Sequence, residues 1–258
     1  MTLSALITDF LEYLELERNA SQKTIQNYDH YLKRFVDFTG DISPGEIDLG
    51  LVRKYRLYLA RWSDPETKKL LKRITQNYFM IALRAFLRYL ARQDIQTLSP
   101  EKVELGETED RPLKVLDDDA LKQLLEAPDT TRKDGIRDKA LLETLFSTGL
   151  RVSELASLNV DTINLNRREF SIIGKGSKER IVFLSDSAAE WLQKYLDLRK
   201  DSFKPLFIRF QGRVDPVESG EKMRLTPRSI ERVVEKYVRQ IGLSVKATPH
   251  TLRHSFAT

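Results

Sequence analysis

The chain has 258 residues, a net charge of +5 and no cysteine. The missing cysteine excludes disulfides, thiolate nucleophiles and cysteine-based metal sites, and no apolar run approaches the ~20 residues that span a bilayer. The length predicts two domains, and because the first residues lack a secretory cleavage pattern we expect a cytoplasmic protein. The mild basic excess favours a nucleic-acid partner, although many soluble proteins show as much.

The first part of the chain has helical periodicity throughout. Apolar residues repeat at helical spacing over 3–18, and Ser21 and Asp48 stand where they would cap a second and a third helix. A fourth helix is predicted over 66–92. Its predicted core residues are Ile74, Tyr78, Ile81, Phe86 and Leu90. Four helices with short connections predict a small helical domain over 1–93.

Residues 94–113 differ in composition from the helices before them. Pro100 and Pro112 interrupt the stretch, and acidic residues accumulate in it: Glu101, Glu104, Glu107, Glu109 and Asp110. We therefore predict an extended linker, whose acidity would keep it off a polyanion.

The remainder, 114–258, mixes helices with one hairpin. Apolar runs at 169–173 and 180–184 flank a Gly-Lys-Gly turn, which indicates a β-hairpin. Helices are predicted at 117–126, 134–147, 151–158, 187–199 and 226–241 and from His250 onward. The predicted fold class is mainly α with a small β-hairpin or sheet.

Arg151 follows Gly149, a predicted helix C-cap, and begins a short helix. An isolated arginine at such a position is commonly a surface residue. Glu154, three residues later on the same face, can orient its guanidinium.

Lys175 lies in the hairpin turn between Gly174 and Gly176. Lysine is common in exposed turns, but an ammonium carried at a hairpin tip can also donate a proton to a leaving alkoxide. The segment does not match a Walker loop, so nucleotide binding there is disfavoured.

His250 and Arg253 share one face of the last predicted helix, which Pro249 opens. An imidazole beside a forked guanidinium suits a phosphate whose charge changes during reaction. His250 and His254 have the spacing of a helical zinc pair, but the intervening Arg253 and the absence of a glutamate between them disfavour a metal. We expect His254 to have a packing or supporting role.

Arg151, Lys175, His250 and Arg253 together suit a phosphodiester passing through a five-coordinate transition state. The sequence shows no carboxylate cluster of the kind a two-metal nuclease uses, so metal-free phosphoryl transfer is favoured. That chemistry still requires a nucleophile.

Four segments resemble the tyrosine recombinase (phage-integrase) family, its Xer type most closely, and the resemblance spans nearly the whole chain. They are LELERNASQKT at 14–24, TGLRVSEL at 148–155, GKGSKER at 174–180 and HTLRHSFAT at 250–258. The resemblance implies a helical, SAM-like core-binding domain followed by an α+β catalytic domain.

By this resemblance, Arg151 and Arg253 clamp the scissile phosphate and Lys175 is the general acid toward the leaving 5′ hydroxyl. His250 assists proton transfer and Glu154 helps to order the site. A tyrosine in such proteins forms a 3′-phosphotyrosyl link, so neither a metal nor another cofactor is implied.

The sequence departs from the family pattern after the last motif. The last tyrosine of the chain is Tyr237, which precedes His250 and is not the nucleophile by family order. We therefore expect a C-terminally truncated recombinase that does not form the covalent intermediate by itself and is impaired in assembly.

The resemblance implies a duplex recombination site as partner and a homo- or hetero-tetramer on paired sites for the full-length protein, with a DNA translocase as a further candidate partner. A charged stripe is often only a solvated face, but here two basic helices and part of the second domain are expected to close around the duplex. The predicted DNA contacts are Lys23, Thr24, Lys54, Arg73, Arg84, Arg88, Arg228 and Arg232.

Two alternatives remain open. The first is a non-cleaving DNA-binding protein with a decayed site, favoured by the missing tyrosine and disfavoured by the four retained cations. The second is a type IB topoisomerase, which shares the chemistry but not the Xer-like helical domain.

Overall fold

The computed structural model describes residues 2–107, 116–174, 179–212, 219–243 and 247–256. The chain divides into two compact units, Met1–Asp110 and Arg111–Thr258. The first unit is helical and the second combines helices with one three-stranded sheet, as the predicted fold class requires. Each described helix is too short or too polar to cross a bilayer.

Four helices form the first unit: α1 (Leu3–Leu16), α2 (Gln22–Thr39), α3 (Leu49–Arg61) and α4 (Arg73–Arg92). Ser21 Oγ accepts the Thr24 backbone N–H at 3.2 Å, and Asp48 Oδ1 accepts that of Leu51 at 2.6 Å. Both predicted caps are thus confirmed, because each satisfies a donor that the first helical turn leaves free.

Helix α4 is shorter than predicted because a turn replaces its first residues. Asp64 Oδ1 accepts the backbone N–H groups of Glu66 and Thr67, and Lys68 has a φ of +55°. An aspartate that bonds to the backbone just ahead of it stabilises a turn in competition with a helix.

The core face of α4 also differs from the prediction. Ile74, Tyr78 and Ile81 are 36%, 46% and 39% exposed, whereas Phe86 and Leu90 are buried as predicted. The buried face consists of Phe79, Met80, Ala82, Leu83, Phe86, Leu87 and Leu90. Since both sides of α4 carry apolar residues at helical spacing, periodicity alone selected the wrong side for its first half.

The predicted linker begins with residues that pack on the first unit. Val103 is fully buried, and Ile95 and Leu98 contact the same core. The side-chain amide of Asn77 exchanges two hydrogen bonds with the Gly106 backbone, at 2.6 and 3.0 Å. Apolar residues spaced among the acids thus hold this stretch against the helices, while residues 108–115 lie outside the described part of the chain.

In the second unit, α5 (Asp118–Glu126) and α6 (Lys133–Thr148) precede the short α7 (Val152–Ser157). Three antiparallel strands follow in the order β1 (Ile163–Asn164), β2 (Glu169–Ile173), β3 (Glu179–Phe183). The later helices are α8 (Asp186–Asp197), α9 (Pro227–Gln240) and α10 (Pro249–Phe256). The predicted hairpin is confirmed, with Phe170 opposite Val182 and Ile172 opposite Arg180.

Helix α6 is the central element of this unit and packs against both α8 and α10. Leu141, Leu142 and Leu145 are fully buried in it, and Leu252 anchors α10 in the same core. Because α10 is fixed against α6, it is held close to the residues that directly follow the end of α6.

Candidate active site

Arg151 is held in place by the break between α6 and α7. Gly149 ends α6 in the left-handed region with a φ of +56°, a conformation that favours glycine. Glu154 then binds Arg151 twice: its Oε2 accepts the Arg151 backbone N–H at 2.8 Å and its Oε1 accepts Nη1 at 2.8 Å. One carboxylate therefore fixes both the backbone and the guanidinium of Arg151.

Two further arginines converge on this carboxylate from distant elements. Arg180 of β3 donates from Nη2 to Glu154 Oε2 at 3.1 Å. Nη1 of Arg253, on α10, lies 3.8 Å from the same oxygen. The structure thus brings together Arg151, Glu154 and Arg253, and it adds Arg180; we call these four residues the arginine cluster.

Burial and charge decide the protonation of the cluster. Burial alone would raise the pKa of Glu154, but the hydrogen bonds from Arg151 and the charges of Arg180 and Arg151 lower it below its usual value. Burial, and then the neighbouring Arg151 charge, lower the pKa of Arg253. An arginine remains protonated even so, and the cluster carries three positive charges against one negative charge.

One donor of the cluster is unused. Nη1 of Arg253 is buried and makes no hydrogen bond to any residue in the described part of the chain. A buried guanidinium donor without a partner is costly, and an anion reached by a small shift of the Arg253 side chain, which is 26% exposed, would satisfy it. The cluster therefore has both the charge and the free donor for binding a phosphate group.

His250 lies on α10 one turn before Arg253 and is exposed. Its Nε2 is 2.9 Å from Nε2 of His254. The two rings are arranged edge to face, with their centroids 4.3 Å apart. One imidazole must donate to the other in this contact, so His254 influences which nitrogen of His250 carries a proton. Within the described ranges, no three His, Cys, Asp or Glu side chains cluster as a metal site would require.

Lys175 lies outside the described residues, as does the rest of the turn at 175–178. The strands on either side are defined: Ile173 is paired with Glu179, at the ends of β2 and β3 nearest the turn. Arg180, next to this pair, ties β3 to Glu154.

Comparison with known proteins shows the family of the chain. Residues 114–258 match the Phage integrase family, and residues 7–94 match the N-terminal SAM-like domain of phage integrases. The chain belongs to the phage integrase family. Tyrosine recombinase XerC of Pelotomaculum thermopropionicum is 36% identical to it over 98% of the chain and 83% of the relative.

Other members of the family give the same picture. Tyrosine recombinase XerD of Lacticaseibacillus casei is 31% identical, over 99% of the chain and 84% of its own length. A lambda integrase (75–356) dimer bound to a COC′ core site has a TM-score of 0.73 at 18% identity, covering 100% of the chain and 89% of that structure. At that identity the likeness shows the shared integrase fold alone.

Most of the DNA contacts predicted for this integrase-family chain lie on open surface. Lys23, Thr24, Lys54, Arg73, Arg88, Arg228 and Arg232 are exposed, and Arg84 is half-buried. Some already have partners: Arg228 is paired with Glu231 at 2.9 Å, and the Thr24 hydroxyl lies 2.9 Å from that of Ser21.

The basic side of α4 faces an acidic segment of its own unit. Arg88 Nη2 lies 4.0 Å from Glu101 Oε1, and the nearby Asn77 holds Gly106. A hydrogen bond from Ser99, followed by smaller effects that include the charges of Arg88 and Arg84, lowers the pKa of Glu101. Glu101, one of the acidic residues assigned to a linker, thus lies beside arginines assigned to DNA.

Tyr237 has a structural role. Its side chain is buried, and its hydroxyl donates to Asp138 Oδ2 at 2.9 Å. Burial and the Asp138 charge raise the pKa of Tyr237, the opposite of what an attacking phenolate needs.

Arg180 is the site residue that sequence reasoning missed, although β-strand alternation contains a signal for it. Arg180 shares one face of β3 with Val182, which packs into the core, while Ile181 and Phe183 are exposed. Although Arg180 is itself 42% exposed, a charged residue on the core-facing side of a strand favours a polar partner. Which partner it has could not be inferred, because Glu154 lies 26 residues earlier in the chain.

Proposed function

We propose that the chain acts in site-specific DNA recombination and binds duplex recombination sites. The observation that carries this proposal is the arginine cluster, in which three guanidiniums share one carboxylate and a buried Arg253 donor is unused. Membership of a family whose members include Xer tyrosine recombinases supports it.

In the proposed mechanism, Arg151 and Arg253 bind the non-bridging oxygens of the scissile phosphate and stabilise the charge that grows on them in the five-coordinate transition state. Glu154 orients Arg151 through the two hydrogen bonds that it accepts from it. Lys175 protonates the leaving 5′ oxygen, and His250, paired with His254, assists proton transfer to or from the attacking hydroxyl. A tyrosine hydroxyl attacks the phosphorus and forms the 3′-phosphotyrosyl link while the bond to the 5′ oxygen breaks. After strand exchange, a 5′ hydroxyl attacks this link and releases the tyrosine.

The phosphate role is testable by ethylation interference. A duplex site is first selected from a random library with the 258-residue chain, and the phosphates at which ethylation blocks binding are mapped. We expect one of them in each half-site to lose its interference in the Arg253→Ala variant. An unchanged map would overturn the assignment, and Arg167→Ala, at an arginine 76% exposed beside β2, is the matched control.

We propose further that no tyrosine among residues 1–258 is the nucleophile. The burial of Tyr237 and its bond to Asp138 support this. Incubation with a nicked suicide substrate should therefore yield no covalent protein–DNA band on a denaturing gel. A robust adduct formed by this chain would contradict the proposal, and peptide mapping would then identify the tyrosine.

We also propose that the biological task is resolution of chromosome or plasmid dimers, or integration of a mobile element, by a tetramer on paired sites. Sedimentation of the chain with a duplex that carries one selected site, compared with a duplex that carries two, tests assembly. A complex with two sites bridged supports the proposal and contradicts the expected impairment of assembly, whereas independent occupancy of each site argues against assembly by residues 1–258 alone.

A further inference from the structure

We infer that Arg180 is a positioning residue, which keeps Arg253 available for phosphate by occupying the carboxylate that Arg253 would otherwise bind. The inference rests on the proposed function, since it concerns how the phosphate-binding arginine is held. Arg180 reaches this site because it lies on β3. It is not among the residues that the family resemblance predicts to take part in the chemistry.

The argument begins with the bonding capacity of Glu154. A carboxylate oxygen has two lone pairs, and Oε2 already accepts the Arg151 backbone N–H at 2.8 Å and Arg180 Nη2 at 3.1 Å. Oε1 accepts Arg151 Nη1 at 2.8 Å. Because Oε2 is saturated, Arg253 remains 3.8 Å away and its Nη1 makes no hydrogen bond to the described residues.

Removing Arg180 changes this balance. One lone pair of Oε2 becomes free, and Arg253 needs to move by only about 1 Å to reach the ~2.8 Å of a charge-assisted hydrogen bond. The pair formed would be largely shielded, because the Glu154 and Arg253 side chains are 11% and 26% exposed. Arg253 would then be directed at Glu154 instead of at the phosphate.

Loss of Arg180 would also lower the positive charge of the cluster, which weakens phosphate binding further. Three arginines and Glu154 give a local charge of +2, and without Arg180 the charge is +1. A phosphodiester carries one negative charge, and its five-coordinate transition state carries more on the non-bridging oxygens. The positive charge of Arg180 thus neutralises the negative charge of Glu154. The charges of Arg151 and Arg253 both remain available to attract the phosphate.

The test is a titration of the 258-residue chain with inorganic phosphate at constant ionic strength, followed by the NMR signals of the arginine Nε–H groups. The variants are Arg180→Ala, Arg180→Lys and Arg253→Ala, each also made in a Glu154→Gln background where the competing carboxylate is absent. Arg167→Ala removes the same charge near β2 and serves as control. The midpoint of thermal unfolding checks that each variant folds, and Arg180→Gln replaces the alanine variant if that one does not.

We expect Arg180→Ala to weaken phosphate binding about tenfold, the loss of roughly one charge-assisted hydrogen bond. Arg180→Lys should stay within about threefold of the parent, because it keeps the charge near Oε2. In the Glu154→Gln background, the effect of Arg180→Ala should fall below about twofold, since the two residues act through one another.

Two results would overturn the inference: no loss of affinity in Arg180→Ala, or an equal loss with and without Glu154, which would mean that Arg180 contacts phosphate directly. Failure of the proposed function looks different. In that case, phosphate shifts neither Arg151 nor Arg253 in the parent chain, and Arg253→Ala leaves its affinity unchanged.

Discussion

Positive charge is organised differently in the two units. In the second, three arginines, one just before α7 and the others on β3 and α10, surround a carboxylate that is 11% exposed. On α4 of the first, Arg88 is 50% exposed and lies 4.0 Å from Glu101, which is 68% exposed. A shielded carboxylate fixes guanidiniums in one geometry, whereas exposed pairs are screened by water and salt and remain exchangeable. The first arrangement suits recognition of one phosphate. The second suits a surface on which a polyanion can replace the acidic partner of an exposed arginine.

The largest expected effect tests which side of α4 is free for a partner. Phe86→Ala should lower the free energy of unfolding by about 3–5 kcal/mol, because it empties a fully buried position. Tyr78→Ala is the matched control on the open side and should change it by less than about 1 kcal/mol. Urea denaturation followed by circular dichroism measures both, and equal losses would mean that the open side of α4 is packed in solution.

Glu154→Ala should have the next largest effect, about 2 kcal/mol of destabilisation, because three guanidiniums lose their shared counter-charge. The loss is smaller than the ~3–5 kcal/mol of a broken buried pair, since Arg151 and Arg180 are half exposed. Urea denaturation at low salt measures it. Added phosphate should restore part of the stability by occupying the cluster, and a variant as stable as the parent would show that the carboxylate does not hold the arginines.

The contribution of Glu154 should depend on pH in a defined direction. Its pKa is lower in the folded chain than in the unfolded one, so its stabilisation is complete above the unfolded value of about 4.5. It is lost as the pH falls through the folded pKa. The stability difference between the parent and Glu154→Gln, measured by urea denaturation from pH 7 downward, should therefore shrink on acidification. A difference that grows toward low pH would contradict the assignment.

Arg88→Ala should weaken binding to a non-specific duplex by the amount of one phosphate contact. The slope of log affinity against log salt should fall by roughly one, with fluorescence anisotropy as the measurement. Arg18→Ala, at an exposed arginine just after α1, gives the background value. Equal slopes for the parent and Arg88→Ala would remove the basic side of α4 from the DNA surface.

The smallest effect is expected from the acidic segment. Glu101→Gln should raise affinity for the same duplex about twofold, because an exposed counter-charge competes weakly for Arg88. Asn77→Ala should act in the same direction without changing the charge, since it releases Gly106. Glu12→Gln on α1 is the charge-matched control, and affinities that do not differ from it would show that the segment does not compete.

Features decided within a few residues could be predicted from the sequence. The caps Ser21 and Asp48, the glycine that ends α6 and the pairing of β2 with β3 follow from local hydrogen bonding and alternation. The start of α4 could not be predicted, because the turn at Asp64 competes with helical periodicity that continues through it. The sequence also could not show which side of α4 is buried, because apolar residues on either side could have faced the neighbouring helices.

The sequence by itself determined the family and predicted the kind of chemistry, from arginines, a glutamate and a histidine at spacings that indicate phosphate binding. Only the tertiary structure decided that Arg180 joins the cluster, that Glu154 is its shared partner and that Arg253 keeps an unused donor. The physical reason is that a helix or strand fixes which residues share a face, whereas the packing of α10 and β3 near the start of α7 depends on the whole core. Contacts between residues 26 to 99 positions apart follow from that packing, and no local pattern encodes them.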